Sequence, residues 1–544
     1  MRRRRWWGWG YEGEGLGHDE HVALGALLGE RFGLSGRLLE PPDPARLALP
    51  PPRLAPPASL AGAVGDDHLE RLSHAYGKSY RDVVRALSGR IEHPPDLVAR
   101  PRDEAEVVAV LDWCASAGAA VVPYGGGSSV VGGVEPDVGD AFAGAVSLDL
   151  GALDRVLDLD RRSLAARVQA GTLGPALEDQ LRPAGLTLRH FPQSFECSTL
   201  GGWIATRAGG HFATGPTHID DLVESVRMVA PAGVLESRRL PASGAGPAPD
   251  RLVIGSEGAL GVITEAWVRV RARPRWRGGG AVRFGHFAAG AEAVRALAQS
   301  GLGPSNCRLL DPLEAFVNGA GDGRHAVLVV GFESADHPLG PWTARAAELV
   351  ADHGGTVDAA WDGGDAEVDG AGHGGAADTW RSSFLRGPYV RDALVRLGAL
   401  CETFETACTW DAFGVLHERV TAATRDGLVE AGAGAGFVTC RLTHAYPDGV
   451  APYFTVVAPA RPGAELAQWA MVKSAASEAI LASGGTITHH HAVGRDHRRW
   501  YDLERPPLFA GTLAAAKAVL DPAGICNPGV LLDPVRHPLP GGPP

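Results

Sequence analysis

The stretch Pro123-Tyr-Gly-Gly-Gly-Ser-Ser-Val-Val-Gly-Gly-Val134 constrains this chain more than any other segment. It follows Ala119-Ala-Val-Val122, a short apolar run that reads as a strand. Three consecutive glycines allow a sharp turn and let several backbone N–H groups converge on one anion. Ser128 and Ser129 add hydroxyl donors. Such a loop is suited to hold a pyrophosphate. A G-x-G-x-x-G dinucleotide fingerprint fails at Val130, and no Gly-Lys-Ser/Thr follows as a P-loop requires. Taken alone, the segment also reads as a flexible glycine linker.

Two later segments decide between these readings: Gln193-Ser-Phe-Glu-Cys-Ser-Thr-Leu-Gly-Gly-Trp-Ile-Ala-Thr-Arg-Ala208 and Ile254-Gly-Ser-Glu-Gly-Ala-Leu-Gly-Val-Ile-Thr-Glu265. With the first loop, and in the same order, they resemble the PCMH-type FAD-binding domain of the vanillyl-alcohol oxidase superfamily. The C-terminal half resembles the alkyldihydroxyacetonephosphate synthase (alkylglycerone-phosphate synthase) family. The pieces that carry this are Cys307-Arg-Leu-Leu-Asp311, Tyr389-Val-Arg-Asp392, Glu402-Thr-Phe-Glu-Thr406, Thr439-Cys-Arg-Leu-Thr443 and Gly484-Gly-Thr-Ile-Thr-His-His-His491. Trp7-Gly-Trp-Gly-Tyr11 resembles an N-terminal element of that family.

Composition sets outer bounds. A hydrophobic share of 45% in 544 residues permits sizeable cores. The net charge of −12 argues against nucleic-acid binding. Lysine occurs only at 78, 473 and 517, so arginine, which suits bidentate phosphate recognition, carries nearly all the positive charge. Seven cysteines without a C-x-x-C pair fit reduced thiols and a cytoplasmic setting. No apolar run is long enough to span a bilayer. Arg2–Arg5 precede Trp-Trp-Gly-Trp-Gly rather than an apolar stretch, which excludes a secretory signal. That cluster reads as an ordinary basic terminus, with peripheral contact to an anionic membrane surface as the alternative. A homodimer is left open.

The expected fold is α+β: a helical N-terminal extension with a proline-rich bend (1–92), a PCMH-type FAD-binding domain (93–275), an α/β cap domain for substrate (276–494) and a C-terminal segment (495–544) that the resemblance returns to the flavin domain. Gly77-Lys78-Ser79 reads as a helix start, because position 72 is leucine. Asp103 and Glu106 form a capping-box pattern that opens a helix to about Ala117. The Arg/Gly-rich stretch Arg271–Gly280 reads as a boundary, and Gly354–Ala377 as a loose connection.

The resemblance implies FAD as cofactor. Pro123, Tyr124, Gly125, Gly126, Gly127, Ser128 and Ser129 would hold it from the first loop. Gln193, Ser194, Phe195, Glu196, Cys197, Ser198, Thr199, Thr206, Arg207, Ala208 and Gly209 would do so from the second. Glu257, Gly258, Ala259, Leu260, Gly261, Val262 and Ile263 would pass beside the adenosine half. No His or Cys lies between 123 and 134, so the FAD is expected to be non-covalent.

His489, His490 and His491 are expected near the flavin by resemblance. On an extended backbone, 489 and 491 would point one way and 490 the other, so the three cannot share one metal; two of them could, but no nearby carboxylate or cysteine ligand is evident, and no metal is expected. A histidine exchanges protons near neutrality. Tyr453, in Ala451-Pro-Tyr-Phe-Thr, matches the family's catalytic tyrosine, and its phenol becomes a base at neutral pH only if a cationic or hydrogen-bonding neighbour lowers its pKa. Arg391 matches the family's phosphate-binding arginine, against a surface ion pair as the plain alternative. Arg308 matches a second activity-linked arginine. Ala492 departs from the family pattern, which carries glycine after the histidines.

The resemblance implies a redox-neutral transferase that exchanges the acyl group of acyl-dihydroxyacetone phosphate for a fatty alcohol, a phosphorylated, lipid-like substrate. The rival is an FAD-linked 2-hydroxy-acid dehydrogenase of the same fold. Those enzymes carry Ser-Gly-Glu-His-Gly where this chain has Thr488-His-His-His-Ala492.

Overall fold

The computed structural model describes residues 3–212, 214–366 and 376–534, with side chains left aside over 376–382. Arg2 and much of the stretch expected as a loose connection, 367–375, lie outside the described residues. Within the rest of that stretch, Thr356–Val357 forms an edge strand.

The helix Glu104–Ala117 shows how the sequence builds the cofactor half. Asp103 caps it by accepting from Glu106 N–H at 2.9 Å, and Gly118 ends it at φ 64°. The Glu106 side chain turns instead to the N–H of Arg102 at 2.7 Å, so the capping box is half formed. Val107, Val110, Leu111 and Cys114 form its buried face. Behind it lie the parallel strands Ala120–Tyr124, Ala145–Asp149 and Leu97–Ala99, with Val64–Gly65 antiparallel at the far edge. The edge strand Ala120–Tyr124 would expose unpaired backbone groups. The C-terminal segment covers it: Val121 N–H donates to Ile525 O, and Asn527 N–H to Val121 O, both at 2.8 Å. A five-stranded antiparallel sheet, in the order 156–160, 165–169, 262–269, 223–230, 233–236, completes this half.

The second half is built on an eight-stranded antiparallel sheet among the described residues. Alternation along its strands sorts the side chains. Cys307, Leu309, Leu400, Phe404, Val438, Cys440, Leu442, Phe454 and Val456 point into one core with the helices Phe287–Gln299, Gly340–Asp352, Trp410–Glu430 and Glu465–Ala482. Their neighbours Arg308, Cys401, Thr403, Thr439, Arg441, Thr443, Tyr453, Thr455 and Val457 line a cavity on the opposite face.

Within Arg271–Gly280, the stretch expected as a boundary, the first strand of the cap sheet begins at Trp276 and runs to Phe284. Its glycines answer close packing: Gly279 sits at φ 120°, where a Cβ would lie 2.2 Å from Val330 O. The helix Ala376–Arg396 was not anticipated, since Gly387-Pro388 lies within it and proline ordinarily breaks a helix. The histidine triplet does not lie in any strand, so the alternation argument fails for it.

Candidate active site

The two halves enclose a cavity of about 600 Å³. All seven expected residues of the first loop, Pro123–Ser129, line it, with Gln193, Ser194, Ser198, Thr199, Thr206, Ala208, Gly209, Glu257, Gly258, Gly261 and Ile263. Seven expected residues lie behind it. Phe195 stacks on Trp203 at 6.3 Å, Glu196 accepts from the Tyr389 hydroxyl at 3.0 Å, and Arg207 pairs with Asp220 at 2.8 Å. Ala259, Leu260 and Val262 are core residues, and Cys197 turns its carbonyl toward Gly126.

The glycine loop fits a pyrophosphate. A Cβ on Gly125 would lie 2.3 Å from Thr199 Oγ1, and one on Gly126 only 1.7 Å from Cys197 O. The two loops therefore meet backbone to backbone, which glycine alone permits. The N–H groups of Gly126, Gly127, Ser128 and Ser129 have no acceptor among the described residues. Glu257, at φ 49°, accepts from the N–H groups of Val493 and Gly494 at 2.8 Å each. This ties the third loop to the segment after the histidines.

On the cap face, cross-strand register sets Tyr453 directly between Arg441 and Glu405. Arg441 covers the tyrosine ring, with 3.8 Å from its guanidinium carbon to the ring centre, and pairs with buried Glu314 at 2.7 Å. Burial nevertheless pushes the Tyr453 phenol up, and Arg441, Thr403 and Arg391 pull it back only in part. The condition under which Tyr453 would be a base at neutral pH is therefore not met, and the phenol keeps its proton.

Fully buried Glu405 organises the triplet. Its oxygens accept from the N–H groups of His489, His490 (3.0 Å) and His491 (2.8 Å), and from the Thr488 hydroxyl at 2.8 Å. These bonds curl the backbone around one carboxylate. His490 and His491 then line the cavity, their rings 6.0 and 5.5 Å from Tyr453, while His489 turns away toward His218 and Tyr446. Burial lowers the pKa of all three, leaving neutral imidazoles. Ala492 sits at φ 75°, a left-handed conformation natural to glycine.

Arg308 is buried, donates to the His211 carbonyl at 3.0 Å, lies over the Phe384 ring and has no carboxylate partner among the described residues. Burial, then Arg441, lowers its pKa to about 9. Arg391 forms no surface ion pair among the described residues. It donates to the Lys78 carbonyl, lines the cavity and keeps a buried Nε without a partner. Both arginines bear on a space that an anion would satisfy.

Glu405 and Arg441 lie inside motifs of the sequence that carry no residue-level mark of their role. The one-in, one-out pattern of Glu402-Thr-Phe-Glu-Thr406 and Thr439-Cys-Arg-Leu-Thr443 was the available signal. Nothing local marked His218, His444 or Tyr446.

An FAD binding domain family matches residues 95–237, and a family described as FAD linked oxidases, C-terminal domain, matches residues 273–531. The chain is 31% identical to the alkyldihydroxyacetonephosphate synthase of Dictyostelium discoideum over 504 residues, covering 88% of this chain and 80% of that protein. It is 29% identical to that of Caenorhabditis elegans, over 98% and 96% of the two chains. A solved alkyldihydroxyacetonephosphate synthase superposes with TM-score 0.78 at 26% identity, over 96% of this chain and 98% of that one. p-Cresol methylhydroxylase, at TM-score 0.66 and 13% identity, shares the fold. Fold and site together define an FAD-dependent enzyme of the FAD-linked oxidase class. Within that class, the chain belongs to the alkyldihydroxyacetonephosphate synthase family.

Proposed function

We propose that this enzyme exchanges the acyl chain of acyl-dihydroxyacetone phosphate for a long-chain alcohol, releasing a fatty acid and an ether. The observation that carries this is Arg308, a buried cation without a carboxylate partner among the described residues, on the same cavity face as Tyr453 and His490. A buried unpaired charge is costly, and a phosphate in the cavity offsets that cost. Arg391 supplies a second phosphate donor. The wall formed by Leu24, Leu27, Val317, Phe437 and Val457 suits the hydrocarbon chains. When bound, FAD supplies the nucleophilic ring nitrogen that such an exchange uses. The protein's own residues hold the phosphate, keep water from the chains and move protons through Tyr453 and His490. Val22 and Leu27, 57% and 47% exposed, and Val317, 50% exposed, support delivery of both lipids from a membrane surface. No helix among the described residues is long and apolar enough to cross a membrane.

The test is incubation with acyl-dihydroxyacetone phosphate and hexadecanol, followed by mass spectrometry. Equal amounts of ether and fatty acid are expected, and Tyr453→Phe should abolish both while retaining FAD. Absence of ether, with anaerobic bleaching of the flavin by a 2-hydroxy acid, would overturn the reading in favour of a dehydrogenase.

A further inference from the structure

A hydrogen-bonded row of side chains runs from the flavin cavity to Tyr446, a residue that also lines a second, separate cleft. His490 lines the first and Tyr446 the second, and the two share no lining residue. His489 lines neither and touches both partners. Its Nδ1 lies 3.0 Å from His490 Nδ1, and its Nε2 lies 2.8 Å from the Tyr446 hydroxyl. The Tyr446 oxygen is 2.9 Å from Thr217 Oγ1, and the Thr217 N–H donates to the exposed Asp221 carboxylate at 3.3 Å. His218 Nε2 approaches the same nitrogen of His489, at 3.1 Å.

A neutral imidazole has one N–H and one bare nitrogen, so this row can be satisfied in two ways. In the first, Tyr446 O–H donates to His489 Nε2 and His489 Nδ1–H to His490 Nδ1, so that His490 offers Nε2–H to the cavity. In the second, every proton is shifted by one place, and His490 offers a bare Nε2.

We propose that His490, His489 and Tyr446 form a proton relay between the flavin cavity and the second cleft. His490 is its catalytic end, and His489 and Tyr446 act through it as positioning residues. The inference rests on the exchange reaction proposed above. His490 Nε2–H protonates the departing carboxylate, and the row takes up one proton from the cleft through Tyr446. The alcohol then gives its proton to the bare Nε2, and the row returns one proton to the cleft. No electrons move, and one turnover resets both imidazoles.

Tyr446→Phe removes the oxygen that joins His489 to Thr217 at the outer end of the row. We expect kcat to fall about a hundredfold, with KM for both substrates and FAD content unchanged. His489→Leu should cost a similar factor, and the double variant little more than either single change. Wild-type kcat in Tyr446→Phe, or additive losses in the double variant, would overturn the relay. Imidazole ¹⁵N shifts of the resting holoenzyme provide a readout that needs no substrate. Values for His489 averaged between two tautomers should collapse to one tautomer in Tyr446→Phe, and unchanged averaging would also overturn it. Failure of the exchange reading is distinct: wild-type enzyme would then make no ether, whatever the imidazole spectrum shows.

Discussion

Arg441 lies flat over Tyr453 from the adjacent strand, 3.8 Å from guanidinium carbon to ring centre, while its Nη1 holds the Glu314 carboxylate at 2.7 Å. One cation thus serves both the reacting face and a buried acid. Arg441→Met leaves Glu314 buried with its charge uncompensated, a change that costs about 3–5 kcal/mol. The thermal midpoint of the holoenzyme should drop accordingly, and adding Glu314→Leu should recover most of it. The single variant should also raise the Tyr453 phenol further, since Arg441 lowers it. Ultraviolet titration of tyrosine would detect this.

Arg391→Lys keeps the charge and loses the planar fork. Replacing charge-assisted bonds in this way should weaken phosphorylated substrate by about 1.5–3 kcal/mol. FAD affinity, read from flavin fluorescence, should not change. An unaltered KM would remove Arg391 from the phosphate site.

Acid precipitation of the wild-type protein should release intact FAD into the supernatant, as the first loop has no histidine or cysteine to bond it. Gly126→Ala should give a folded but colourless protein. Its Cβ would stand 1.7 Å from Cys197 O, and the two loops would have to part. Absorbance at 450 nm per protein decides the point.

Burial pushes the Glu257 carboxyl from 4.5 up to about 7. The folded state therefore holds a proton that the unfolded chain releases above pH 4.5. Stability contributed by this group is present below that value and declines as pH rises toward 7. Glu257→Gln removes the titration and keeps one acceptor oxygen, so that one of the Val493 and Gly494 N–H groups retains its partner. Between pH 5 and pH 8 the variant should lose less thermal stability than wild type, measured as a difference of midpoints.

Ala492 at φ 75° adopts a conformation that disfavours a Cβ. Ala492→Gly relieves roughly 1–2 kcal/mol of this strain, partly offset by the greater freedom of glycine in the unfolded chain. A small rise in thermal midpoint with unchanged FAD content is expected.

Much of this was legible in the sequence where local chemistry decides the outcome. The Asp103 cap, the glycine loop and the alternating strands around Tyr453 follow from residue type and spacing. The histidine loop was misread because its path is set by Glu405, 84 residues earlier than His489, whose carboxylate gathers three consecutive N–H groups. The helix Ala376–Arg396 was missed because a local breaker, Pro388, is overridden by packing against the N-terminal tryptophans and the strand Ala399–Glu405. The direction of the Tyr453 shift was not legible because desolvation, invisible in sequence, outweighs the arginine beside it.

The N-terminal tryptophan element is fastened to residues made much later. Trp9 N–H donates to Asp392 at 2.7 Å, and Arg4 reaches the Gly125 carbonyl at 3.1 Å. On a ribosome adding about 5–20 residues per second, the segment synthesised first waits roughly 20–80 seconds for its partner on the later helix to be made. The beginning of the chain is therefore among the last parts to find its place, and the Arg391 helix is clamped only near the end of synthesis. Until then, three tryptophans and a basic cluster stay accessible to chaperones and to proteases.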